Sequence, residues 1–402
     1  MKLLFISQHF PYPPYRDGSR LIEYYLLKNL SKYDNIYFIS FLIPGEEKYI
    51  NRINTFCDKV VTVPLKYSKL ERIKKYIHDV FSPKRFESVL MKNEIIEAVK
   101  KFNPDVVHVD LPMMSQYWNC FDNIPKLINS VDAISLLAYK NIKDNKNLIK
   151  KLMWYLLYKQ RKYIESKYFL NYNICTVVSG EDKGMLEKHS PNLKIEVIPN
   201  GVDIEYFDTD KVNIDVNYSD NQSVGIFGGM DFFPNEDASI FFISDIFPLV
   251  KKEYPQLKLY LVGRKPSERL SNFVKDKKDI IITGEVEDIR EYYKKVSIAI
   301  SPIRLGSGIK NTVLQAMAMS KAIVCTSQAV KAIDVINGKH VFVADKNGEF
   351  AEKIISLLEN SELRKNIGEN ARSLIVEKYS WEIHAKHFQK IYEDISSEKG
   401  VR

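Results

Sequence analysis

The segment SPIRLGSGIKNTVLQ, Ser301 to Gln315, decides the fold of the second half of the chain. The apolar run Ser297 to Ser301 that leads into it is typical of a short buried strand. The residues that follow it, AMAMSKAIVC up to Cys325, continue a helix and then a further apolar strand. A strand, a glycine-containing loop and a helix in this order predict one unit of a parallel α/β sheet.

The loop of this segment has the composition of a phosphate-binding loop. Gly306 and Gly308 allow a tight turn and a close approach of the backbone to a ligand. A helix that begins near Ile309 points its N–H groups and its positive dipole end into the same space. Arg304 and Lys310 would add charge where a diphosphate would lie. The alternative is a loop that only connects two elements.

Strand-like apolar runs alternate with amphipathic helices along the whole chain, in two series. The first series lies near Leu3–Ser7, Ile36–Ile43, Val60–Val63, Val106–Val109, Leu127–Asn129 and Ile174–Val178. The second lies near Val224–Phe227, Leu257–Val262, Ile280–Ile282, Ile298–Ser301, Ile323–Cys325 and Val341–Val343. This alternation predicts two doubly wound parallel sheets, with the seam near Pro199-Asn200-Gly201. In such sheets a ligand binds beyond the carboxyl ends of the strands, so two facing domains would form one cleft.

The composition of the chain excludes several classes of protein. Its 402 residues suit two domains, and 45% hydrophobic with 27% charged residues is typical of a globular protein. The start MKLLFISQHF predicts a first strand and not a signal peptide, and no apolar run reaches the length of a membrane span. The four cysteines are scattered without pairing or metal-ligand spacing, which predicts free thiols in a reducing cytoplasm: Cys57, Cys120, Cys175 and Cys325.

Positive charge is concentrated in two segments. Lys66 to Phe86 holds seven Lys or Arg and two acids, and Lys140 to Leu170 holds nine and two. Aromatic residues are interleaved with the charges in both. One interpretation is a solvated basic face over a core stripe; the other is docking on an anionic membrane. No RRM, KH or helix-turn-helix signature accompanies the charge, so we expect no nucleic-acid partner.

An ordered set of motifs resembles the GT-B glycosyltransferases of family GT4, group 1, in the branch that builds bacterial surface polysaccharides. The resemblance covers nearly the whole chain. The motifs that carry it are ISQHFPYPPYRDGSR (6–20), DVVHVD (105–110), SVDAISLLAYK (130–140), IPNGVD (198–203), GIFGGMDFFPNEDA (225–238), LYLVGR (259–264), IITGEVEDIREYY (281–293) and the segment 301–325.

The resemblance implies a domain plan. Residues 1–198 would form an acceptor-side Rossmann-like domain, and residues 199–380 the Rossmann-like domain that binds the nucleotide sugar. Residues 381–402, from Trp381 onward, would form a helix that packs back on the first domain. The fold class implied is therefore α/β, GT-B, with two doubly wound parallel-sheet domains facing across a cleft.

The resemblance also assigns roles to residues. The turn at Asp17-Gly18 and the nearby Arg20 would face the donor, and Arg304 and Lys310 would bind its diphosphate. The leaving group is a nucleoside diphosphate, so charge that holds it more tightly as the glycosidic bond breaks lowers the barrier. The remaining donor-binding candidates are Gly228, Gly229, Arg264, Gly284, Glu285, Val286, Gly306, Ser307, Gly308 and Gln315. For Arg264, a surface position at a strand end is the alternative.

Two positions depart from the family pattern. Ser307 and Gln315 stand where the family usually carries two glutamates, for the donor sugar and the ribose respectively. Gln315 can still hydrogen-bond a ribose hydroxyl. Where the family often has His-x-His near the anomeric carbon, this chain has His108 and Asp110, which are candidate catalytic residues. The alternative for His108 is a hydrogen-bonded histidine at a strand end.

A metal is not expected. Asp208-Thr209-Asp210 has the D-x-D form of GT-A metal sites, but it follows the NGVDIEYF string in the interdomain segment. The resemblance implies neither a metal nor a cofactor, because the nucleotide sugar is a substrate.

The function implied is that of a retaining, metal-independent hexosyltransferase. It would move a sugar from a nucleoside-diphosphate sugar to a hydroxyl of a lipid-linked or oligosaccharide acceptor, in synthesis of surface polysaccharide, lipopolysaccharide or lipid-linked glycan. We expect a cytoplasmic protein, with peripheral contact to the inner face of the membrane. The alternative is a GT-B protein that binds a nucleotide or glycan, or partners a transferase, without catalysis. An epimerase of this fold is a third hypothesis. It is disfavoured because no paired carboxylates stand out in the motifs expected to line the cleft.

Overall fold

The computed structural model describes residues 1–12, 18–65, 86–121, 123–145, 147–212, 222–306 and 308–397. The chain forms two compact units. The first comprises Met1–Pro199 together with His384–Arg402, and the second Asn200–Ile383. Each is built on a parallel sheet with helices on both faces.

The sheet of the first unit has seven strands in the order β3-β2-β1-β4-β5-β6-β7, and all its pairings are parallel. The strands are β1 Lys2–Ser7, β2 Asn35–Leu42, β3 Lys59–Pro64, β4 Val106–Asp110, β5 Lys126–Val131, β6 Ile174–Val177 and β7 Ile195–Val197. The described α-helices up to β7 are α1 Gly18–Leu30, α2 Ile50–Asn54, α3 Val89–Phe102, α4 Ile134–Asp144, α5 Leu148–Tyr163 and α6 Gly180–His189.

The central strands of this sheet are apolar on both faces because both are covered. Leu4 and Ile6 of β1 lie in one hydrophobic cluster, while Leu3 and Phe5 lie in another. The second cluster includes five residues of the last helix, α15 Trp381–Ser397. They are Ala385, Phe388, Ile391, Tyr392 and Ile395. The last helix therefore supplies part of the core of the first unit.

The sheet of the second unit has six strands in the order β10-β9-β8-β11-β12-β13, again all parallel. The strands are β8 Ser223–Phe227, β9 Lys258–Val262, β10 Ile280–Gly284, β11 Ile298–Ser301, β12 Ile323–Cys325 and β13 Phe342–Val343. The described helices from β8 onward, before α15, are α7 Phe233–Phe241, α8 Phe247–Glu253, α9 Glu268–Val274, α10 Ile289–Lys295, α11 Asn311–Ala318, α12 Ser327–Val330, α13 Asn347–Glu359 and α14 Ser361–Lys378.

Two doubly wound parallel sheets were predicted from the alternating runs, and the sheets confirm them. Strand β7 was not predicted, because three residues in the string KIEVIP are too few to show a pattern. The basic segment 66–86 lies outside the described residues except for Phe86. Within the described ranges, no helix is both long enough and apolar enough to cross a bilayer.

Candidate functional site

The strand order of the second sheet places a crevice between β8 and β11. From β8 the chain winds outward through β9 and β10, and from β11 it winds the other way through β12 and β13. Where the winding reverses, the loops beyond the carboxyl ends of two adjacent strands diverge, and ligands of open α/β sheets bind there. The loops concerned are the glycine pair after β8 and the glycine loop after β11.

The glycine pair after β8 is held in a crowded environment. Gly228 has φ +137°, and a Cβ on it would meet the amide nitrogen of Asn235 at 2.6 Å. The Asn235 side-chain amide donates to the carbonyl oxygen of Gly229 at 2.9 Å. A Cβ on Gly263, after β9, would stand 1.7 Å from the carbonyl oxygen of Gly228. The two loops therefore touch backbone to backbone, and only glycine allows this contact.

Arg264 lies beside the glycine pair. A Cβ on Gly229 would lie 4.0 Å from Arg264 Nε, and the Met230 N–H donates to the Arg264 carbonyl oxygen at 3.0 Å. The side chain is half-buried. The structure thus brings this predicted candidate together with Gly228 and Gly229.

The predicted base-binding backbone follows β10. Gly284 has φ +70° and ends the strand after a shift in its register with β9. Glu285 is exposed, whereas Val286 is half-buried and packs against the core. Because β10 lies beyond β9 in the sheet order, this loop is two strands away from the glycine pair.

Arg304 is already paired in the structure. Its Nη2 lies 3.0 Å from both carboxylate oxygens of Asp237 on α7, and its guanidinium carbon lies 4.0 Å from the centroid of the Phe241 ring. The Arg304 side chain is 45% exposed. An ion pair this accessible to water contributes less than about 1 kcal/mol. A diphosphate, with its greater charge, would compete effectively for the guanidinium.

Lys310 lies at the N-terminus of α11 and reaches back over the glycine loop. The helix begins at Asn311, two residues after the predicted start near Ile309, and Lys310 is its N-cap residue. A Cβ on Gly306 would stand 3.4 Å from Lys310 Nζ. Gly306 and Gly308 both have positive φ, +99° and +71°. The predicted combination of glycine turns, lysine and helix N-terminus is therefore present locally; Ser307 lies outside the described residues.

Gln315 is positioned by a buried tyrosine. The Tyr293 hydroxyl lies 3.4 Å from Gln315 Oε1 and 3.0 Å from the carbonyl oxygen of Thr312, and it can donate to either. The Tyr293 ring is stacked on Phe227 at a centroid distance of 3.9 Å. Burial raises the pKa of Tyr293 well above its usual value, so the hydroxyl remains a donor. The half-buried Gln315 carboxamide is thereby oriented from β8 and α10.

Among the candidates of the first unit, Arg20, His108 and Asp110 are buried, whereas Gly18 is exposed. Gly18 begins α1, and Asp17 lies outside the described residues. Arg20 is buried, and its Nη2 lies 3.0 Å from Glu46 Oε1. The predicted cation is therefore paired with Glu46 inside the first unit, and its contact with the donor stays a prediction.

His108 and Asp110 are also fully buried, at 0% exposure each. His108 Nδ1 is hydrogen-bonded to the Tyr392 hydroxyl of α15 at 2.6 Å, and its ring is stacked on Phe5 at 4.2 Å. Asp110 accepts from the Asn129 amide at 2.6 Å. The hydrogen bond to Tyr392 fits the alternative of a hydrogen-bonded histidine at a strand end, and the direct catalytic roles of His108 and Asp110 stay predictions.

The buried His108 predicts how the stability of the protein depends on pH. Burial lowers the pKa of His108 below its ordinary value of 6.5, although the nearby Asp110 raises it in part. The unfolded chain therefore binds a proton more readily than the folded one, and the free energy of unfolding should fall as the pH drops below 6.5. Denaturant unfolding between about pH 5.5 and 7 should show this slope, and a shallower one in His108→Gln. An identical slope in both proteins would contradict the assignment.

Sequence reasoning missed the residues that hold the loops in place. Asn235 and Asp237 on α7 fix the glycine pair and Arg304, and the Gln328 amide donates to the Gly306 carbonyl at 2.5 Å. The one available signal was Pro234, a residue typical of the first turn of a helix. The Asp208-Thr209-Asp210 string forms a short 3₁₀ turn, in which Asp208 is paired with Arg372 at 3.2 Å.

Comparisons with known proteins agree with this geometry. The family described as "Glycosyl transferases group 1" matches residues 221–360, and "Glycosyltransferase Family 4" matches residues 62–206. An uncharacterized glycosyltransferase of Methanocaldococcus jannaschii is 28% identical over 58% of this chain and 64% of its own length. The capsular polysaccharide biosynthesis glycosyltransferase CapM of Staphylococcus aureus is 25% identical over 48% of this chain and 52% of its own. These matches span only about half to two thirds of each relative.

A solved structure covers the whole chain. Anabaena HepE, crystallised in complex with UDP, matches with a TM-score of 0.70 and 14% sequence identity, over 99% of this chain and 100% of that one. Identity this low establishes the fold alone. Together with the two parallel sheets, it confirms the predicted GT-B fold.

Proposed function

The chain belongs to the group 1 glycosyltransferases of family GT4, and on that premise we propose that it transfers a hexose-type sugar from a nucleoside-diphosphate sugar to a hydroxyl group of a glycan acceptor. The reaction retains the anomeric configuration and needs no metal. It takes place in the cytoplasm, at the inner face of the membrane. The acceptor is a lipid-linked or oligosaccharide precursor of a surface polysaccharide.

The proposal rests on the glycine loop and Lys310. Both follow β11, at the switch point where the winding of the second sheet reverses between β8 and β11. Gly306 and Gly308 turn the backbone beside the N-terminus of α11, and Lys310 Nζ lies over that turn. A helix N-terminus and a lysine together favour a doubly charged diphosphate over a neutral ligand. The Asp237-bound guanidinium of Arg304 lies on the same loop and supplies a second cation.

The chemistry follows from the position of these charges. The bond between the anomeric carbon and the β-phosphate oxygen breaks, and a new bond forms to the acceptor oxygen on the same face. The acceptor proton passes to an oxygen of the departing diphosphate, so no side chain needs to form a covalent intermediate. Negative charge grows on the diphosphate as the bond breaks, and Lys310 stabilises that charge more in the transition state than in the ground state.

The relatives suggest where to look for substrates. HepE was crystallised with UDP, which places UDP-sugars first in a donor panel, followed by GDP- and ADP-sugars. CapM is named for capsular polysaccharide biosynthesis, which supports a glycan acceptor for this chain. The test is release of nucleoside diphosphate from each donor, with and without lipid and oligosaccharide extracts. Acceptor-dependent release with one donor would support transfer; no release with any donor would refute it.

Gln315 distinguishes an active transferase from a non-catalytic binding protein. If its carboxamide, held by Tyr293, hydrogen-bonds the ribose, Gln315→Ala should raise the donor dissociation constant about tenfold, equivalent to about 1.4 kcal/mol. Gln315→Glu should change the donor dissociation constant little, because a carboxylate can accept hydrogen bonds from the Tyr293 hydroxyl and from a ribose hydroxyl. Calorimetric titration with the donor measures both effects. The matched control is Gln116→Ala in the first unit, a half-buried glutamine whose amide donates to the Met113 carbonyl oxygen at 2.9 Å, and it should leave the donor dissociation constant unchanged.

One result would support the non-catalytic alternative. Native protein would bind a nucleotide sugar without ever releasing diphosphate, whereas Gln315→Glu would release it. In that case the neutral side chain at position 315 would mark a site that has lost its activity while keeping its affinity.

A further inference from the structure

The outer face of α5 is apolar, which is the reverse of an ordinary surface helix. Ile149 is 80% exposed and Leu152 is 60% exposed. At 100° per residue the large exposed apolar side chains of this helix fall within one arc of its surface. They are Leu148, Ile149, Leu152, Met153, Tyr155, Leu156 and Tyr163. None of the residues of α5 is buried. We call this arc the apolar face.

The opposite side of α5 attaches the helix to the first unit. The Tyr158 hydroxyl is hydrogen-bonded to His189 Nε2 at 3.2 Å, and Arg161 Nη1 donates to the Ile134 carbonyl oxygen at 3.0 Å. His189 is itself held by the buried Glu165 at 3.0 Å. These polar contacts fix the rotation of α5 about its axis. The apolar face is therefore directed away from the core by specific bonds.

The charge of α5 has a single sign. Its sequence, LIKKLMWYLLYKQRKY, contains five Lys or Arg and no acid. Arg161 is used in the attachment, whereas Lys150, Lys151, Lys159 and Lys162 are exposed. By the same 100° spacing, Lys151, Lys159 and Lys162 lie at one edge of the apolar face or within it, and Lys150 lies beyond the other edge.

We propose that α5 is an interfacial helix that docks the first unit on an anionic lipid surface. Leu148, Ile149, Leu152, Met153 and Leu156 would enter the boundary between headgroups and acyl chains. The four exposed lysines would meet the phosphates of anionic lipids. A helix with an apolar face, flanking lysines and no acid fits this environment on both counts. The inference adds to the proposed function the surface on which a lipid-linked acceptor is met, and for that purpose alone it rests on the proposed function.

A second copy of the chain fits the face less well. In a two-fold symmetric pair the same surface meets itself, so each lysine edge would face lysines of the other copy. With no acid in α5, like charges would be brought together without compensation. An anionic bilayer supplies the opposite charge, and it also receives the apolar side chains. The charge pattern therefore favours lipid over self-association.

The test is co-flotation of the whole protein with vesicles of phosphatidylcholine alone and of phosphatidylcholine with phosphatidylglycerol. We expect binding to the anionic vesicles that weakens as salt rises, since screening shortens the range of charge attraction from about 8 Å at physiological ionic strength to about 3 Å at 1 M. Replacing Lys150, Lys151, Lys159 and Lys162 by Gln should lower the partition coefficient about a thousandfold. Leu152→Glu with Leu156→Glu should abolish binding.

Matched control variants are available on α3 of the same unit. Leu90 is also an exposed leucine on a helix, and Lys92 and Lys100 are exposed lysines. Leu90→Glu and the pair Lys92→Gln, Lys100→Gln should leave flotation unchanged. Circular dichroism should show that all variants fold, since every replaced side chain is accessible to water.

Three outcomes would overturn the proposal: no flotation with either vesicle, equal loss in the α3 controls, or a dimer by light scattering that Leu152→Glu with Leu156→Glu dissociates. Diphosphate release with a water-soluble acceptor is measured separately and needs no vesicle. Loss of docking with intact release would therefore refute this inference while leaving the proposed function standing.

Discussion

Replacing Lys310 by alanine is expected to lower affinity for the nucleoside diphosphate between about tenfold and a hundredfold, and to remove nearly all turnover. One charge-assisted hydrogen bond contributes about 1.5–3 kcal/mol to binding, and the stabilisation grows as the diphosphate leaves. The fold should be unaffected, because Lys310 is an N-cap residue whose side chain makes no capping hydrogen bond to α11. Calorimetry with UDP, GDP and ADP, together with diphosphate release, measures both effects.

The control for this variant is Lys346→Ala. Lys346 is likewise an N-cap lysine without a capping hydrogen bond, at the start of α13 in the same unit. It follows β13, away from the switch point between β8 and β11. Affinity in this control should equal that of the native protein. If Lys310→Ala also binds UDP, GDP and ADP with native affinity, Lys310 is not part of the binding site.

Replacing Gly263 by alanine is expected to destabilise the second unit by about 3 kcal/mol, at the upper end of overpacking effects. The new Cβ would stand 1.7 Å from the Gly228 carbonyl oxygen, and both atoms belong to backbone segments that end adjacent strands. Relief of the clash requires the loops after β8 and β9 to separate. Separation would also displace Gly228, Gly229 and Arg264, so donor affinity should fall together with the unfolding temperature.

Thermal unfolding with and without nucleotide measures this effect, and we expect a decrease of roughly 6–12 °C for a unit of this size. Gly348→Ala is the control, because a Cβ at that position on α13 meets nothing within 4 Å. It should be neutral or slightly stabilising, since alanine favours the helix. An unchanged unfolding temperature in Gly263→Ala would mean that the loops do not touch as described.

Much of the fold could be predicted because parallel sheets covered on both faces need continuous apolar strands. Runs such as Ile298–Ser301 and Ile323–Cys325 have the same bounds in the sequence and in the structure. The glycine loop was equally accessible, because positive φ at Gly306 and Gly308 restricts the residue type at those positions. Strand β7 was missed because its three residues are too few to show an alternation of buried and exposed side chains.

The remaining features depend on residues that are distant in sequence. The resemblance makes His108 a catalytic candidate because it stands where the family often has His-x-His. It is buried through Tyr392, 284 residues later, and no local pattern reports such a contact. Similarly, the sequence indicated an apolar stripe on α5 but not which way it faces. The bonds of Tyr158 and Arg161 decide that orientation.

The last helix sets the order in which the protein can mature. The first unit lacks a complete core until Phe388, Ile391 and Tyr392 have been added, and these residues are synthesised after the whole of Asn200–Ile383. Domains usually fold in the order in which they leave the ribosome. Here the second unit can complete its folding first, while the apolar surface around Leu3, Phe5 and His108 is still exposed to water. The nascent chain is therefore most vulnerable to aggregation at its earlier half, and chaperone dependence should concentrate there.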